Sequence, residues 1–131
     1  MSIEMTLEAD EGLAKGDVVR ASEGVAVVKS EGDRVSGAFP LSGMTFYGEF
    51  HVTDPVLLTE VVGEKWRVGS RMAFQLVIPK YGECMRELGV FIARLASLSR
   101  ACFVVAFEYE TPYAVRNERG LQLLKPELGS G

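Results

Sequence analysis

Apolar residues recur at every second position through much of the first fifty residues. In "SIEMTLEA" Ile3, Met5 and Leu7 share one side, and "GDVVRA", "GVAVVK" and "RVSGAF" follow as short runs punctuated by Gly, Asp and Ser. Period-two spacing broken by such residues predicts short antiparallel strands joined by turns. "KSEGDRV" reads as a hairpin connection in which Gly32 supplies the positive φ of a tight turn. The alternation is cleanest in "MTFYGEFHV", which places Met44, Phe46, Phe50 and Val52 on one face and Thr45, Tyr47, Glu49 and His51 on the other.

The pattern changes at "TDPVLLTEVVG". Asp54 can accept the first free N–H groups of a helix, Pro55 suits its first position, and Gly63 suits its C-terminal cap. A short helix over 55–62 is the expectation, with a strand as the alternative because of its β-branched content. "RMAFQLVIP" predicts a strand carrying Met72, Phe74, Leu76 and Ile78 on one side, with "KWRVGS" as a short partner that turns at Gly69 and Ser70. The strongest helical signal is "GECMRELGVFIARLASLSR", where Cys84, Leu88, Phe91, Ile92, Leu95 and Leu98 fall on one face. "ACFVVAFEYE" is apolar on both faces and predicts a central strand. "YAVRNERGLQLL" predicts a hairpin around Asn117 to Gly120, and "KPELGSG" a frayed tail.

These elements predict an α+β fold: a mainly antiparallel sheet with two helices, one short and one long, on one face. Their order fits a split βαβ plait preceded by a Gly-rich β-hairpin region. The chain of 131 residues reads as a single domain. Residues 1–43 form short strands and turns, 44–125 a βαβ-type core, and 126–131 the tail.

Composition adds limits rather than a function. No apolar run approaches the roughly 18–20 residues that span a bilayer, and "MSIEMTLEADEG" lacks the basic and apolar regions of a secretory signal. Cys84 and Cys102 fit free thiols in a reducing compartment better than a disulfide, so a cytoplasmic protein is expected. Residues 1–64 carry 12 acidic and 4 basic side chains, whereas 65–131 carry 6 acidic and 10 basic. An acidic first half and a pI near 5.1 argue against general nucleic-acid binding, which needs clustered Lys and Arg.

Candidate chemistry is sparse. His51 is the single histidine and no paired-cysteine motif accompanies it, so no metal site, cofactor or catalytic residue is assigned. Tyr47, Glu49 and His51 line up on the polar face of their strand. Glu108 and Glu110 close the apolar strand on one side, either as an interacting acid pair or as a cluster neutralised by Arg116 and Arg119. Gly89, Ala93 and Ser97 form a stripe of small residues that would seat another helix, a dimer mate or a ligand. Glycine loops for phosphate or dinucleotide and the nucleophile elbow are absent from the sequence.

The leading expectation is a non-catalytic protein-binding module of bacterial type. Its specific form is an immunity or inhibitor protein that neutralises a basic toxin or effector through Glu8, Asp10 and Glu11. The alternatives are a small-molecule or small enzyme domain that uses carboxylates in a cleft between sheet and helices, and a structural homo-oligomer such as a homodimer. Neither a nucleic acid nor a membrane is an expected partner.

Overall fold

The computed structural model describes residues 3–129. Over these residues the chain forms β1 (Ile3–Asp10), α1 (Lys15–Ala21), β2 (Val27–Glu31), β3 (Arg34–Ala38), β4 (Thr45–Phe50) and β5 (Val68–Leu76). It continues through α2 (Tyr81–Leu98), β6 (Phe103–Phe107), β7 (Thr111–Asn117) and β8 (Gly120–Leu123). All eight strands join one sheet in the order β2-β3-β4-β5-β1-β6-β7-β8. Every neighbouring pair is antiparallel. Because β1 is antiparallel to both β5 and β6, those two run parallel with β1 between them, and β5–α2–β6 is a split βαβ unit. The α+β class follows directly. No helix among the described residues is long and apolar enough to cross a membrane.

One sheet face carries the core. Met5, Leu7, Phe46, Met72, Phe74 and Val105 are buried against Leu88, Phe91, Ile92 and Leu95 of α2 and against Val18 and Ala21 of α1. Phe39, Phe46, Phe74 and Phe91 meet with ring centroids 5.4 to 6.2 Å apart, tilted or edge-on as aromatic quadrupoles favour. Gly37 makes room for this cluster, since a Cβ there would lie 2.4 Å from the Phe46 ring. The helix C-termini are satisfied from outside each helix. Arg94 of α2 donates to the carbonyl of Glu23 just beyond α1 at 2.5 Å, and Arg116 of β7 donates to Ala96 and Ser99 at the end of α2 at 3.3 and 3.2 Å.

Four local expectations are corrected. "KGDVVRA" is helical rather than extended: Val18 and Ala21, three apart, are its buried pair, and Asp17 accepts the Ala14 N–H at 3.0 Å to start the turn. Strand β5 runs unbroken through Gly69 and Ser70, and Gly69 is required because a Cβ there would lie 2.6 Å from the Cα of Glu11. The tail is held in place: a 3₁₀ turn at Pro126–Leu128 buries Leu128, and the Leu128 carbonyl sits where a Cβ on Gly89 would be. The small-residue position on α2 therefore seats the chain's own C-terminal turn; Ser130 and Gly131 lie outside the described residues. Finally, the short helix expected over 55–62 does not form. The two helices on the core face are α1 and α2, and the 17 residues between Phe50 and Val68 are irregular.

Candidate functional site

Over β1 to β5 the second sheet face is built from the more polar phase of each strand. Cross-strand partners share a face, and the register aligns Glu31, Arg34, Glu49, Arg71 and Glu8 in one row across β2, β3, β4, β5 and β1. Charge alternates along the whole row, the arrangement that cross-strand pairing favours. The row continues as Val104 and Val115 on β6 and β7, both buried. Beside it runs a second row of Lys29, Ser36, Tyr47, Ala73 and Thr6.

Residues 51–67 lie over one half of this face, fastened by Glu8 and Arg71. Glu8 is 0 % exposed. One of its carboxylate oxygens accepts the Thr59 N–H at 3.0 Å and the Thr59 hydroxyl at 2.7 Å; the other accepts the Leu58 N–H at 2.9 Å and Arg71 Nε at 3.4 Å. Arg71 turns its two remaining nitrogens to the carbonyls of Asp54 at 2.9 Å and Val56 at 2.5 Å. Four backbone groups that a helix would have paired internally are thus paired with one ion pair on the sheet. This is why the helix signal of "DPVLLTEVV" fails: Asp54 still accepts the Val56 N–H at 3.1 Å, but the next amides turn to Glu8. Further along, Asn117 donates to Glu64 at 2.8 Å and ties the segment to β7.

The loop leaves apolar side chains in water. Val56 and Leu58 are 58 % and 49 % exposed, and Val62 is fully exposed. Val56 and Val62, with Leu57, Val61 and Trp66, line a cup formed by the loop itself. Unstructured loops longer than about 12–15 residues in compact domains are uncommon and are usually functional or disordered. This one is pinned along its backbone.

Between the loop and the open strands lies a cleft of about 470 Å³, whose lining includes Tyr47, Glu49, Arg71 and Tyr109 together with Asp33, Arg34, His51 and Asp54. Tyr109 reaches it from the β6–β7 turn, where Glu108 and Tyr109 adopt φ of 48° and 63°. Two successive side-chain-bearing residues in the left-handed region are strained. The turn is held by β1, with the Glu108 N–H donating to the Glu4 carbonyl at 3.2 Å and the Tyr109 N–H to the Thr6 hydroxyl at 3.1 Å. Burial, reinforced by the Glu8 carboxylate, pushes the Tyr109 phenol above its ordinary pKa, with Arg71 opposing.

The nine residues singled out from the sequence separate into distinct places. Glu8 is no surface acid; it is the buried anchor of the loop. Asp10 accepts the N–H groups of Gly12 and Cys102 at 2.8 and 2.9 Å and so organises the chain after β1. Glu11 is exposed, 3.6 Å from Arg67. Tyr47 and Glu49 line the cleft. His51 leaves the alternation, because β4 ends at Phe50 and His51 has φ of 56°. Its ring nitrogen lies 2.9 Å from Asp33 in the β2–β3 turn, with the His51 side chain 82 % exposed. Glu108 and Glu110 are exposed turn residues rather than neighbours on a strand face, and Arg116 lies at the far end of β7 under α2. Arg71 and Tyr109 were not anticipated. The legible cue for Arg71 was a lone cation on the polar phase of an interior strand, with Glu8 in the polar phase of another.

Both cysteines are free thiols; burial, then Asp10, raises the pKa of Cys102. Among the described residues no group of three or more His, Cys, Asp or Glu side chains is placed to hold a metal ion. Comparison of the chain with known families, curated proteins and solved structures gave no match.

Proposed function

We propose that the chain is a non-catalytic protein-binding module whose contact surface is the loop 51–67 and the open strands beside it. The observation that supports this reading is the pairing of opposites in the loop: exposed Val56, Leu58 and Val62 above a backbone held by the buried Glu8–Arg71 pair. Buried ion pairs carry a desolvation penalty of several kcal/mol per ion and contribute little net stability over an apolar pair. Here the pair holds a loop in one shape, which lowers the ordering entropy lost when that loop meets a partner. Apolar side chains on such a surface mark interaction sites.

The specific form of the proposal is an inhibitor or immunity role against a basic toxin or effector, acting in the cytoplasm. The net charge of −4 supports a partner of opposite sign, and the free thiols suit a reducing compartment. The acidic side of the contact is no longer Glu8. It comprises the acids still facing solvent near the loop and cleft, namely Asp33, Glu49, Asp54 and Glu60.

The test is affinity capture from the native host with wild-type chain and with Val56→Asp/Val62→Asp as parallel baits. Retention of one stoichiometric protein by the wild type and its loss from the folded variant is the expected result. Equal retention by both baits removes the loop from the interface, and an empty wild-type bait counts against the module.

A further inference from the structure

We infer that the cleft between Tyr47 and Tyr109 is a receptor for a guanidinium group, an arginine side chain presented by the partner protein. This deepens the binding-module reading and rests on it. Tyr47 and Tyr109 both line the cleft, and a planar cation stacks on tyrosine rings with little loss of hydration.

The charge around them sets the sign of the occupant. Asp33, Glu49 and Asp54 line the cleft, and Glu108 and Glu110 are exposed on either side of Tyr109 in its turn. Arg34, Arg71 and the His51 ring face them. Arg71 is engaged at each nitrogen: Nε is directed to Glu8 and the other two nitrogens to the Asp54 and Val56 carbonyls. Three of its five N–H donors are thus committed to Glu8 and the loop, and its charge is balanced by the buried Glu8. Arg34 is the remaining arginine and is exposed. With Glu8 and Arg71 cancelling, Asp33, Glu49 and Asp54 outnumber the remaining basic groups of the lining, Arg34 beside Glu49 at 3.8 Å and His51 beside Asp33 at 2.9 Å, so a carboxylate ligand would meet a net negative field. An arginine side chain would meet carboxylates suited to its fork of N–H donors.

The test is an NMR titration of the folded full chain with N-acetyl-arginine amide, and with N-acetyl-lysine amide and N-acetyl-glutamate amide as comparison probes. The expected result is a saturable shift of the Tyr47 and Tyr109 ring signals and of the Ala73 amide with the arginine probe, weaker with lysine and absent with glutamate. Glu49→Gln and Tyr47→Ala, both at exposed positions, weaken the arginine probe by about fivefold or more, and added salt weakens it further. The absence of a saturable shift at these residues overturns the site, and equal binding of the lysine probe overturns the guanidinium assignment. No partner enters this titration, so a silent cleft would leave the loop capture experiment to be judged separately.

Discussion

Glu8→Gln is the sharpest perturbation of the loop clasp, because it preserves shape while removing the charge and one acceptor. The glutamine NH₂ must occupy one carboxylate position. Facing Thr59, it can donate to the hydroxyl but opposes the Thr59 N–H; facing Leu58, it opposes that N–H and Arg71 together. The first orientation is the milder, and it still leaves one buried N–H without a partner, about 1–3 kcal/mol. Arg71, with its side chain only 17 % exposed, also loses its counter-ion. Breaking a buried pair from one side costs about 3–5 kcal/mol, and the partial exposure of Arg71 places the total for both effects near the lower end, roughly 3 kcal/mol. A domain with about 5–15 kcal/mol of stability remains folded after that loss. Urea unfolding gives the global term, and hydrogen exchange at Leu58 and Thr59 gives the local one. Replacing both partners by Met does not restore stability, because the backbone groups at Asp54, Val56, Leu58 and Thr59 stay unpaired. The double change is therefore expected to match the larger single change rather than the sum. Stability within about 0.5 kcal/mol of wild type, with unaltered exchange at Leu58 and Thr59, would refute the clasp.

Three further outcomes are expected. Phe91→Ala empties the centre of the aromatic cluster and lowers stability by about 3–5 kcal/mol in urea unfolding; a loss below 1 kcal/mol would show that the cluster does not close the core. Gly89→Ala places a Cβ 2.2 Å from the Leu128 carbonyl, so despite a helix-propensity gain of about 1 kcal/mol it releases the C-terminal turn, seen as faster proteolysis near Leu128. Burial, followed by Tyr113, raises the Tyr81 phenol to about 12. The protonated form is the one the fold favours, so its contribution is complete below pH 10 and declines as pH rises from about 10 to 12. Tyr81→Phe removes that part of the alkaline loss, measured as the difference between the two unfolding curves.

How far the sequence could be read depended on the range of the interactions that decide each segment. β4 and α2 are fixed by their own periodicity, and Phe46, Phe50, Leu88, Phe91 and Ile92 are buried on the faces expected. The β7–β8 hairpin pairs Asn117 with Gly120, as its local turn chemistry implies. The segment 55–62 was misread although its caps are sound, because Glu8 lies about fifty residues away and takes the amides a helix needs. α1 was misread for a different reason: seven residues with adjacent Val18 and Val19 fit either period, and only packing against α2 decides between them. In the site, Tyr47 and Glu49 were legible from alternation. Tyr109 was not, since its place in the cleft depends on a left-handed turn held by Glu4 and Thr6 of β1.

The most direct test of the account is capture from the native host with wild-type, Val62→Asp and Glu8→Gln chains run side by side. Val62→Asp alters the exposed surface of the loop, and Glu8→Gln loosens the same loop from beneath without touching a partner. The account predicts one protein retained by the wild type and lost or sharply reduced on both variants. Undiminished retention of that protein by both variants would contradict it.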